Sequence, residues 1–547
     1  MKKSFSFALA AVMMLSSSVA MASNPEITQT TPGQRVYCGD PAALVVDTDK
    51  DGEGDKVYLY VGEDTGNGAY YSMPNYLCYS TTDMVNWTYE GIPLRAGDFS
   101  WGSANDAWAS QVIEYNGKYY FYNSKNSSGM SVAVSSSPTG PFVDARNGSR
   151  LIEPGWTHGK VGWDDIDPTV WVETVDGVEH RYLMWGNSNL YMFELNEDMI
   201  SIQCGSSAIR ELTINNIPEN SQYTEAPWIY KRAGDDKYYI FFATNWHEEL
   251  SYAVSDNIWG PYEYKGLVMA VGGSSNTNHP AVIDFKGQTY LFYHTGAQPN
   301  GGGYLRSVCI DRLYFDENGD VAQLEESSIG LDGTAVTLAL NGEKLSQVHV
   351  DNSILPSAYP AGTTLRLGGS SLYGTDSEWE ITEGNGGVYI QSVNKMGYYI
   401  TDYRGFVKLL HDDDDTQVSL NARTFTPIEN GGTVAYESVS SPGKYLNADE
   451  YGNIVLSESP AYFTITERAQ QAVTASVVDE MLIIEGISEP EAELVVVISG
   501  PDKTVVCYAK ADSEGEFTCR FVPGKTGTYH ISAAGRTAEI EFGGKAE

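Results

Sequence analysis

Three acidic residues, Asp40, Asp167 and Glu225, begin three similar segments of the chain, 127 and 58 residues apart. Hydrolysis of a glycosidic bond needs two carboxyl groups flanking that bond. A protonated one gives its proton to the leaving oxygen, and an ionised one acts on water or on the sugar. A third carboxylate nearby raises the pKa of the acid, because like charges disfavour ionisation. These residue types therefore indicate acid–base hydrolysis, provided that the fold brings them together.

The acid-headed segments belong to a fivefold repeat. Its five segments begin at Asp40, Trp108, Asp167, Glu225 and His279, and after a turn each is followed by an aromatic strand. The aromatic strands begin at Val57, Tyr119, Tyr182, Tyr238 and Tyr290. A repeat of roughly 50 to 60 residues built from strands is typical of a radial array of small sheets. The pattern predicts an all-β fold that begins with a five-bladed β-propeller over residues 33–330.

In a propeller the innermost strand of each blade lines the central channel, so equivalent positions of different blades meet near the axis. A single Asp-Pro pair commonly does no more than cap a strand or a turn. Three acids at corresponding places in a fivefold pattern favour a catalytic arrangement over three unrelated caps.

These segments resemble glycoside hydrolase family 43. The resemblance lies in Asp40, Asp167-Pro-Thr-Val, Glu225-Ala-Pro, the His279 segment and the phrase Tyr79-Ser-Thr-Thr-Asp-Met-Val-Asn-Trp. It implies a five-bladed propeller that hydrolyses glycosides with inversion. Asp40 would then be the general base, Glu225 the general acid, and Asp167 the group that tunes the pKa of Glu225 and orients it. Inversion leaves room for a water molecule, so base and acid should lie about 6.5–9.5 Å apart.

Further site residues are predicted around these acids. Trp108 can form an apolar wall for the sugar, together with the preceding Trp101 and Phe99. By the resemblance, Arg306 matches a position that often contacts the substrate; the alternative is an arginine that pairs strands or lies on the surface.

His279 leaves two interpretations open. The family often has a histidine near an axial metal, commonly calcium, or near a water cluster. Calcium prefers oxygen ligands, and this imidazole is the one ligand candidate that the sequence offers. The alternative is a buried, hydrogen-bonded histidine. No cofactor is expected to be required, and a structural calcium on the propeller axis stays an open prediction.

The chain changes character after Asp332. Similar segments recur 46 residues apart, with Ser392 matching Ser438 and Tyr399 matching Tyr445. This predicts a β-trefoil over residues 335–468, followed by a small immunoglobulin-like β-sandwich over residues 471–547. Two phrases of this region, Tyr-Glu-Ser-Val…Pro-Gly-Lys-Tyr-Leu-Asn at 436–447 and Ala422-Arg-Thr-Phe, resemble carbohydrate-binding module family 42. Binding of arabinofuranose and a spacer role both remain open for it.

The N-terminus predicts an export signal over residues 1–22. Lys2 and Lys3 precede an apolar stretch, and Ala20-Met-Ala provides a cleavage site. The apolar stretch is too short to span a bilayer, and Ser23 is not a lipid-attachment cysteine. No other segment looks transmembrane, so we expect a periplasmic or secreted protein.

The net charge of −38 argues against several classes of partner. Such a surface repels nucleic acid, anionic membranes and polyanionic polysaccharides. A neutral oligosaccharide or polysaccharide of the arabinan, arabinoxylan or xylan type remains compatible with it.

Together these features predict an exo-acting α-L-arabinofuranosidase. A β-D-xylosidase is the alternative of the same family, since both sugars can present similar geometry to the acids. A propeller that binds carbohydrate without turnover is a third interpretation, and retention of all three acids argues against it.

Two further patterns lie outside this site. Asp47-Thr-Asp-Lys-Asp-Gly begins like a calcium-binding loop, but its twelfth position is Tyr58 rather than glutamate. We therefore predict a hairpin turn. Cys507 and Cys519 lie six residues either side of Ser513 and could form a disulfide across two strands.

Overall fold

The computed structural model describes most of the chain. The described residues are 23–31, 34–66, 69–157, 163–232, 235–270, 275–315, 319–331, 333–348, 363–368, 374–411, 416–467, 472–478, 481–487, 493–501, 503–511, 516–533 and 536–543. The predicted export signal lies outside them. Two compact units are present. One comprises Asn24–Leu331 and Ala469–Glu547, and the other covers Asp332–Arg468.

In the first unit, five β-sheets follow one another along the described chain after the short strands β1 (Gln29–Thr31) and β2 (Gln34–Arg35). Blade 1 has β3 (Cys38–Val46), β4 (Lys56–Glu63), β5 (Asn75–Thr81) and β6 (Thr88–Arg95); blade 2 has β7 (Ser110–Tyr115), β8 (Lys118–Ser124), β9 (Met130–Ser135) and β10 (Val143–Asp144). Blade 3 has β11 (Thr169–Val175), β12 (Val178–Trp185), β13 (Leu190–Glu194) and β14 (Arg210–Leu212). Blade 4 has β15 (Ile214–Asn215), β16 (Tyr223–Tyr230), β17 (Tyr238–Thr244), β18 (Glu249–Ser255) and β19 (Tyr262–Met269); blade 5 has β20 (Ala281–Phe285), β21 (Gln288–Thr295) and β22 (Ser307–Leu313).

One edge strand of each blade lines the axis, namely β3, β7, β11, β16 and β20, and these inner strands form a closed ring. Strand β3 contacts β7, β7 contacts β11, β11 contacts β16, β16 contacts β20, and β20 returns to β3. Large buried side chains fill the spaces between neighbouring blades. Tyr60 of blade 1 meets Phe121 of blade 2, and another core cluster contains both Tyr122 of blade 2 and Trp185 of blade 3. The predicted five-bladed β-propeller is confirmed.

The segment before β1 also binds to the last blade. Ile27 bridges to Val308 on β22, and the Asn24 side chain donates to the carbonyl of Ser327 at 2.8 Å and to Asp311 Oδ2 at 3.1 Å. The backbone N–H of Ile310 donates to Asn24 Oδ1 at 2.9 Å. The beginning of the propeller is therefore tied to its last blade.

The second unit has the topology of a β-trefoil. Its strands are β23 (Val336–Leu340), β24 (Glu343–Val348), β25 (Thr364–Leu367), β26 (Glu378–Gly384), β27 (Gly387–Ser392), β28 (Tyr398–Tyr403), β29 (Phe406–His411), β30 (Phe425–Asn430), β31 (Thr433–Ser438), β32 (Tyr445–Ala448), β33 (Ile454–Ser457) and β34 (Phe463–Glu467). Strands β23, β26, β27, β30, β31 and β34 pair in that order, and β34 pairs back with β23. Strands β24–β25, β28–β29 and β32–β33 form three hairpins outside this barrel. One α-helix, α1 (Gln417–Arg423), precedes β30 in the described chain.

The C-terminal residues form two facing sheets. Strands β35 (Ala472–Val478), β36 (Met481–Ile487) and β39 (Glu516–Phe521) make one, and β37 (Glu493–Ser499), β38 (Thr504–Lys510), β40 (Gly527–Ala533) and β41 (Arg536–Phe542) make the other. This is the predicted β-sandwich. Cys507 on β38 and Cys519 on β39 lie on different sheets, and both are free thiols.

A turn and the lengths of the helices also bear on the predictions. Residues 47–55 form the turn between β3 and β4, as predicted for the Asp47 motif. No helix among the described residues is long and apolar enough to cross a membrane.

Candidate active site

The backbone has an unusual conformation at the start of three inner strands, and this conformation orients the acidic side chains. Asp40, Asp167 and Ala226 have left-handed φ angles of 54°, 62° and 58°, and each precedes a proline. The pairing of β3 with β4 shifts register between Gly39 and Ala42, and that of β16 with β17 shifts on both sides of Glu225. Such bulges insert extra residues into a strand and redirect its side chains.

The backbone conformation shows that the repeated segments align differently from the alignment that the sequence suggests. Ala226, rather than Glu225, shares the left-handed backbone and the following proline with Asp40 and Asp167. Glu225 therefore lies one residue earlier than the position of the two aspartates. The repeat pattern in the sequence treats the three acids as equivalent, and this detail of the prediction was wrong.

Direct contacts bring blades 3 and 4 together at these acids. The backbone N–H of Ala226 donates to Asp167 Oδ2 at 3.0 Å, so Asp167 holds the peptide that follows Glu225. The side-chain amide of Asn187 donates to Glu225 Oε2. Asp167 is buried, and Glu225 is partly buried.

Arg306 lies beside Asp40 and fixes its position. Its Nη1 donates to Asp40 Oδ1 at 2.6 Å, while Nε and Nη2 bind the two oxygens of Asp64 at 2.9 and 3.0 Å. The side chain of Arg306 is 2% exposed. Arg306 thus holds Asp40 in this structure, and the substrate contact expected of it stays a prediction.

These surroundings move the pKa values of the acids in opposite directions. Burial alone would raise the pKa of Asp40, but the charge of the Arg306 guanidinium and its hydrogen bond hold it below its ordinary value. Burial, together with the charge of Asp40, raises the pKa of Glu225 despite the amide of Asn187. Asp40 is therefore arranged to be ionised and Glu225 to be protonated, which is the division that acid–base catalysis needs.

The pKa of Asp167 is shifted in the same direction as that of Glu225. Burial, followed by the charges of Glu225 and Asp40, raises its pKa well above the ordinary value of an aspartate. Burial thus shifts Asp167 and Glu225, from blades 3 and 4, toward the protonated form, while Arg306 shifts Asp40 of blade 1 toward the ionised form.

Two histidines from blade 5 lie on the other side of Asp40. The backbone N–H of Asp40 donates to His294 Nδ1 at 3.1 Å, and His294 Nε2 lies 2.8 Å from the carbonyl of Thr277. The imidazole therefore carries its proton on Nε2. Burial lowers the pKa of His294 to about 3 and that of His279 to about 4. Both rings are neutral at ordinary pH.

His279 does not fit a calcium site built from protein oxygens. In the described part of the chain, the one group of three or more acidic, histidine or cysteine side chains close enough to share an ion is Asp47, Asp49 and Asp51, in the exposed β3–β4 turn. His279 is 5% exposed, and its ring is a nitrogen ligand that calcium does not favour. The burial of His279 agrees with the buried-histidine interpretation, the axial calcium stays a prediction, and no step is assigned to a metal.

The first aromatic candidate, Trp108, lies close to the acids. It is partly buried, its carbonyl accepts from the Tyr76 hydroxyl at 2.6 Å, and its ring meets that of Tyr71 with centroids 6.2 Å apart. The guanidinium of Arg306 lies over the Tyr71 ring, 4.8 Å from its centroid. Trp108 and Tyr71 therefore border the Asp40 side of the site.

The other two aromatic candidates lie deeper. Phe99 and Trp101 are 5% and 8% exposed, and they pack in the core between blades 1 and 2. The ammonium group of Lys125 lies over both rings and donates to the carbonyl of Trp101 at 2.7 Å. Little ring surface remains for a ligand, so their part in a sugar wall rests on the sequence alone.

Sequence reasoning missed several residues that shape this site. Asp64, Asn187, Glu248 and His294 each touch one of the acids or the arginine, yet none begins a repeated segment. His294 follows the aromatic strand phrase Tyr290-Leu-Phe-Tyr, so its position in the repeat was the one available signal.

Comparison with known proteins agrees with this geometry. The profile of "Glycosyl hydrolases family 43" matches residues 48–321, half of the chain. A xylosidase/arabinosidase of Bacteroides ovatus is 29% identical over 328 residues, which are 53% of this chain and 95% of that protein. A β-xylosidase of Xylanibacter ruminicola is 28% identical over 325 residues, covering 52% of this chain and 96% of that protein.

A solved structure was also matched. It is a family 43 β-xylosidase/α-arabinofuranosidase from a compost microbial metagenome, in complex with xylotriose; the identity is 24%, the TM-score is 0.45, and the match covers 53% of this chain and 94% of that one. The family profile covers half of the chain. It shows that the chain belongs to glycoside hydrolase family 43 and is a glycosidase.

Proposed function

We propose that this protein is an inverting, exo-acting α-L-arabinofuranosidase that acts on plant pentosans. The observation that carries the proposal is the different surroundings of two carboxyl groups at one site. The Arg306 guanidinium donates to Asp40 at 2.6 Å, whereas Glu225 meets the neutral amide of Asn187, so that the pKa is lowered for Asp40 and raised for Glu225. Arabinofuranose and xylose are neutral sugars and so are compatible with a chain of net charge −38. A protein named arabinoxylan arabinofuranohydrolase, from Paenibacillus polymyxa, is among the relatives, at 27% identity.

In the proposed reaction, Glu225 gives its proton to the oxygen of the leaving group as the glycosidic bond breaks. Asp40 takes a proton from a water molecule, whose oxygen attacks the sugar from the opposite face. Asp167 holds the peptide after Glu225 through the N–H of Ala226. Arg306 keeps Asp40 ionised and oriented.

A β-D-xylosidase is the second candidate. It is favoured by the relative named β-xylosidase, which is matched over nearly its whole length. The same two carboxyl groups would serve both sugars, so the comparison of substrates must decide between them.

The first test measures hydrolysis of nitrophenyl α-L-arabinofuranoside and β-D-xyloside, followed by arabinan, arabinoxylan and xylan oligosaccharides. We expect faster turnover of the arabinofuranoside. Asp40→Asn and Glu225→Gln should each lower the rate on oligosaccharides roughly 10²–10⁴-fold, the usual contribution of a positioned acid or base.

The exposed residues Asp256 and Glu197 provide matched controls, because Asp256→Asn and Glu197→Gln make the same chemical changes away from the site. No turnover of any pentoside, or turnover that survives both active-site substitutions, would refute the mechanism. Proton NMR of the first anomer released tests inversion. A retained anomer would exclude Asp40 as a base acting on water.

We also propose that the protein is exported to the periplasm or secreted, on the strength of residues 1–22 alone. N-terminal sequencing of the mature protein checks this. A mature chain that still begins at Met1 would contradict it.

A further inference from the structure

A fourth acid, Glu248, lies beside the proposed general acid. It precedes β18 in the turn after β17, and the pairing of Glu225 with Ala243 and of Ala243 with Leu250 places this turn next to Glu225. The side chain of Glu248 lies in the interior, with the residue 3% exposed. Its carboxyl group is within hydrogen-bonding reach of the Glu225 carboxyl.

The two oxygens of Glu248 have different partners. Oε2 accepts a hydrogen bond from the backbone N–H of Asn278 at 2.7 Å. Oε1 is buried, and no donor among the described residues points at it. A buried carboxylate oxygen without a donor is costly. An oxygen that carries a proton and donates it to a neighbouring carboxyl group avoids that cost.

The surrounding charges favour the neutral form of Glu248. Burial, followed by the charge of Glu225, raises its pKa well above the ordinary value, and Asp167 acts in the same direction. The charged and titratable groups around the Glu225–Glu248 pair are Asp40, Asp167, Arg306, Tyr71 and Tyr223. The one cation among them, Arg306, is already held by Asp40 and Asp64.

We propose that Glu248 is a positioning residue for the general acid: it stays a neutral carboxylic acid whose Oε1–H donates to Glu225. Glu225 becomes a carboxylate when its proton passes to the leaving oxygen, and the electrons of the broken C–O bond remain on that oxygen. The donor on Glu248 stabilises the carboxylate as it forms, while its own proton stays in place. This inference rests on the role proposed above for Glu225.

Two substitutions separate a neutral Glu248 from an ionised one. Glu248→Gln keeps a donor toward Glu225 and an acceptor toward Asn278, so the alkaline limb of the rate profile should stay within about 0.3 pH unit of the wild type. Glu248→Met removes the donor. The pKa of Glu225 should then rise, and the alkaline limb should move to higher pH.

The rates of hydrolysis of substrates with two kinds of leaving group provide a further test. Glu248→Met should slow release of sugar from an arabinofuranosyl or xylosyl oligosaccharide about tenfold, as expected for one lost hydrogen bond to a charged group. A nitrophenyl pentoside should be slowed less, because its leaving group needs little protonation. The neighbouring Glu249→Gln is the matched control, since the Glu249 carboxylate accepts from Asn245 instead and should leave the profile unchanged.

Three outcomes would overturn the inference. A shift of the alkaline limb to lower pH in both Glu248 variants would mean that a negative charge had been removed. A fall in thermal stability with no movement of either limb would mean that Glu248 only supports the fold. Equal slowing of both kinds of leaving group by Glu248→Met would place its effect elsewhere than on the acid.

A spectroscopic measurement keeps this test independent of turnover. In an infrared difference spectrum of wild type minus Glu248→Gln at neutral pH, we expect the C=O band of a protonated carboxyl group. A carboxylate band in its place would refute a neutral Glu248 even if the protein hydrolysed no pentoside. Failure of the proposed function would show instead as an inactive wild type.

Discussion

At the scale of single residues, the site separates a base from an acid by what each carboxyl group touches. Asp40 meets a guanidinium group at 2.6 Å, whereas Glu225 meets a neutral amide and other carboxyl groups. Both are partly buried in similar strands, so the amino-acid type alone does not decide the charge. The assignment of roles therefore depends on Arg306 more than on any other residue outside the acids.

Arg306→Lys should move the acid limb of kcat/KM to higher pH by about one unit. The reaction needs Asp40 ionised, and activity falls as the pH drops through the pKa of that group. Arg306 lowers this pKa, so a weaker counter-ion raises it. A lysine ammonium cannot reproduce the fork that binds Asp40 and Asp64 together.

The pH profile of kcat/KM checks this, because it reports groups of the free enzyme. Arg312→Lys on β22, the strand that directly follows Arg306, is the control; Arg312 donates to the carbonyl of Leu331 and does not contact Asp40. An acid limb that stays in place in a folded Arg306→Lys protein would show that Arg306 does not set the charge of Asp40.

At the scale of strands, the start of β3 is shaped to receive this arginine. Gly39 precedes Asp40, and a Cβ atom at this position would lie 2.5 Å from Nε of Arg306. The guanidinium is held on both sides by carboxylates, so it cannot swing away freely. The missing side chain of Gly39 thus provides the space that the base and its counter-ion share.

We expect Gly39→Ala to lower kcat/KM roughly 10–100-fold, because small displacements of a reacting group are costly. Overpacking should also lower the free energy of unfolding by about 1–3 kcal/mol. Steady-state kinetics and thermal unfolding measure the two effects. Gly97→Ala is the matched control, since a Cβ there meets Ala104 at an ordinary 3.6 Å. Equal kinetics for the two variants would contradict the close approach of Arg306.

The elements were more predictable from the sequence than their contacts were. The repeated segments and aromatic strands indicated five blades, and the 46-residue spacing indicated a trefoil, because each pattern recurs at similar intervals along the chain. Asp64 and His294 were not found, since each acts through a partner on a distant segment. Glu248 was not found because it lies in the turn between β17 and β18 and begins no repeated segment. The one-residue offset of Glu225 was missed as well, because a bulge changes register without changing the apparent motif.

At the scale of the whole molecule, the propeller depends on a joint between its first described residues and its last blade. Asn24 and Tyr293 both donate to Oδ2 of Asp311, at 3.1 and 2.7 Å. Burial raises the pKa of Asp311 to about 7, although these two donors and Arg312 oppose it. Burial likewise raises the pKa of Glu26, on the same N-terminal segment, to about 8. The joint therefore contains carboxyl groups that are protonated in the folded state.

The stability of the first unit should therefore decrease as the pH rises. Asp311 ordinarily titrates near 3.8, so between about pH 4 and 7 the folded chain holds a proton that the unfolded chain has released. The free energy of unfolding falls with pH wherever the folded state binds more protons. Asp311→Asn keeps an acceptor for Asn24 and Tyr293 but cannot titrate. We expect it to remove on the order of 2 kcal/mol of the decline between pH 5 and 7.

Thermal unfolding of the full chain at pH 5, 6, 7 and 8 measures this effect. The wild-type midpoint should fall across the series, and the midpoint of Asp311→Asn should fall less. Asp256→Asn removes an exposed carboxylate and corrects for the general repulsion in so acidic a chain. If wild type and Asp311→Asn lost stability in parallel, the decline would come from overall charge. The proton on Asp311 would then have no part in holding the N-terminal segment to the last blade.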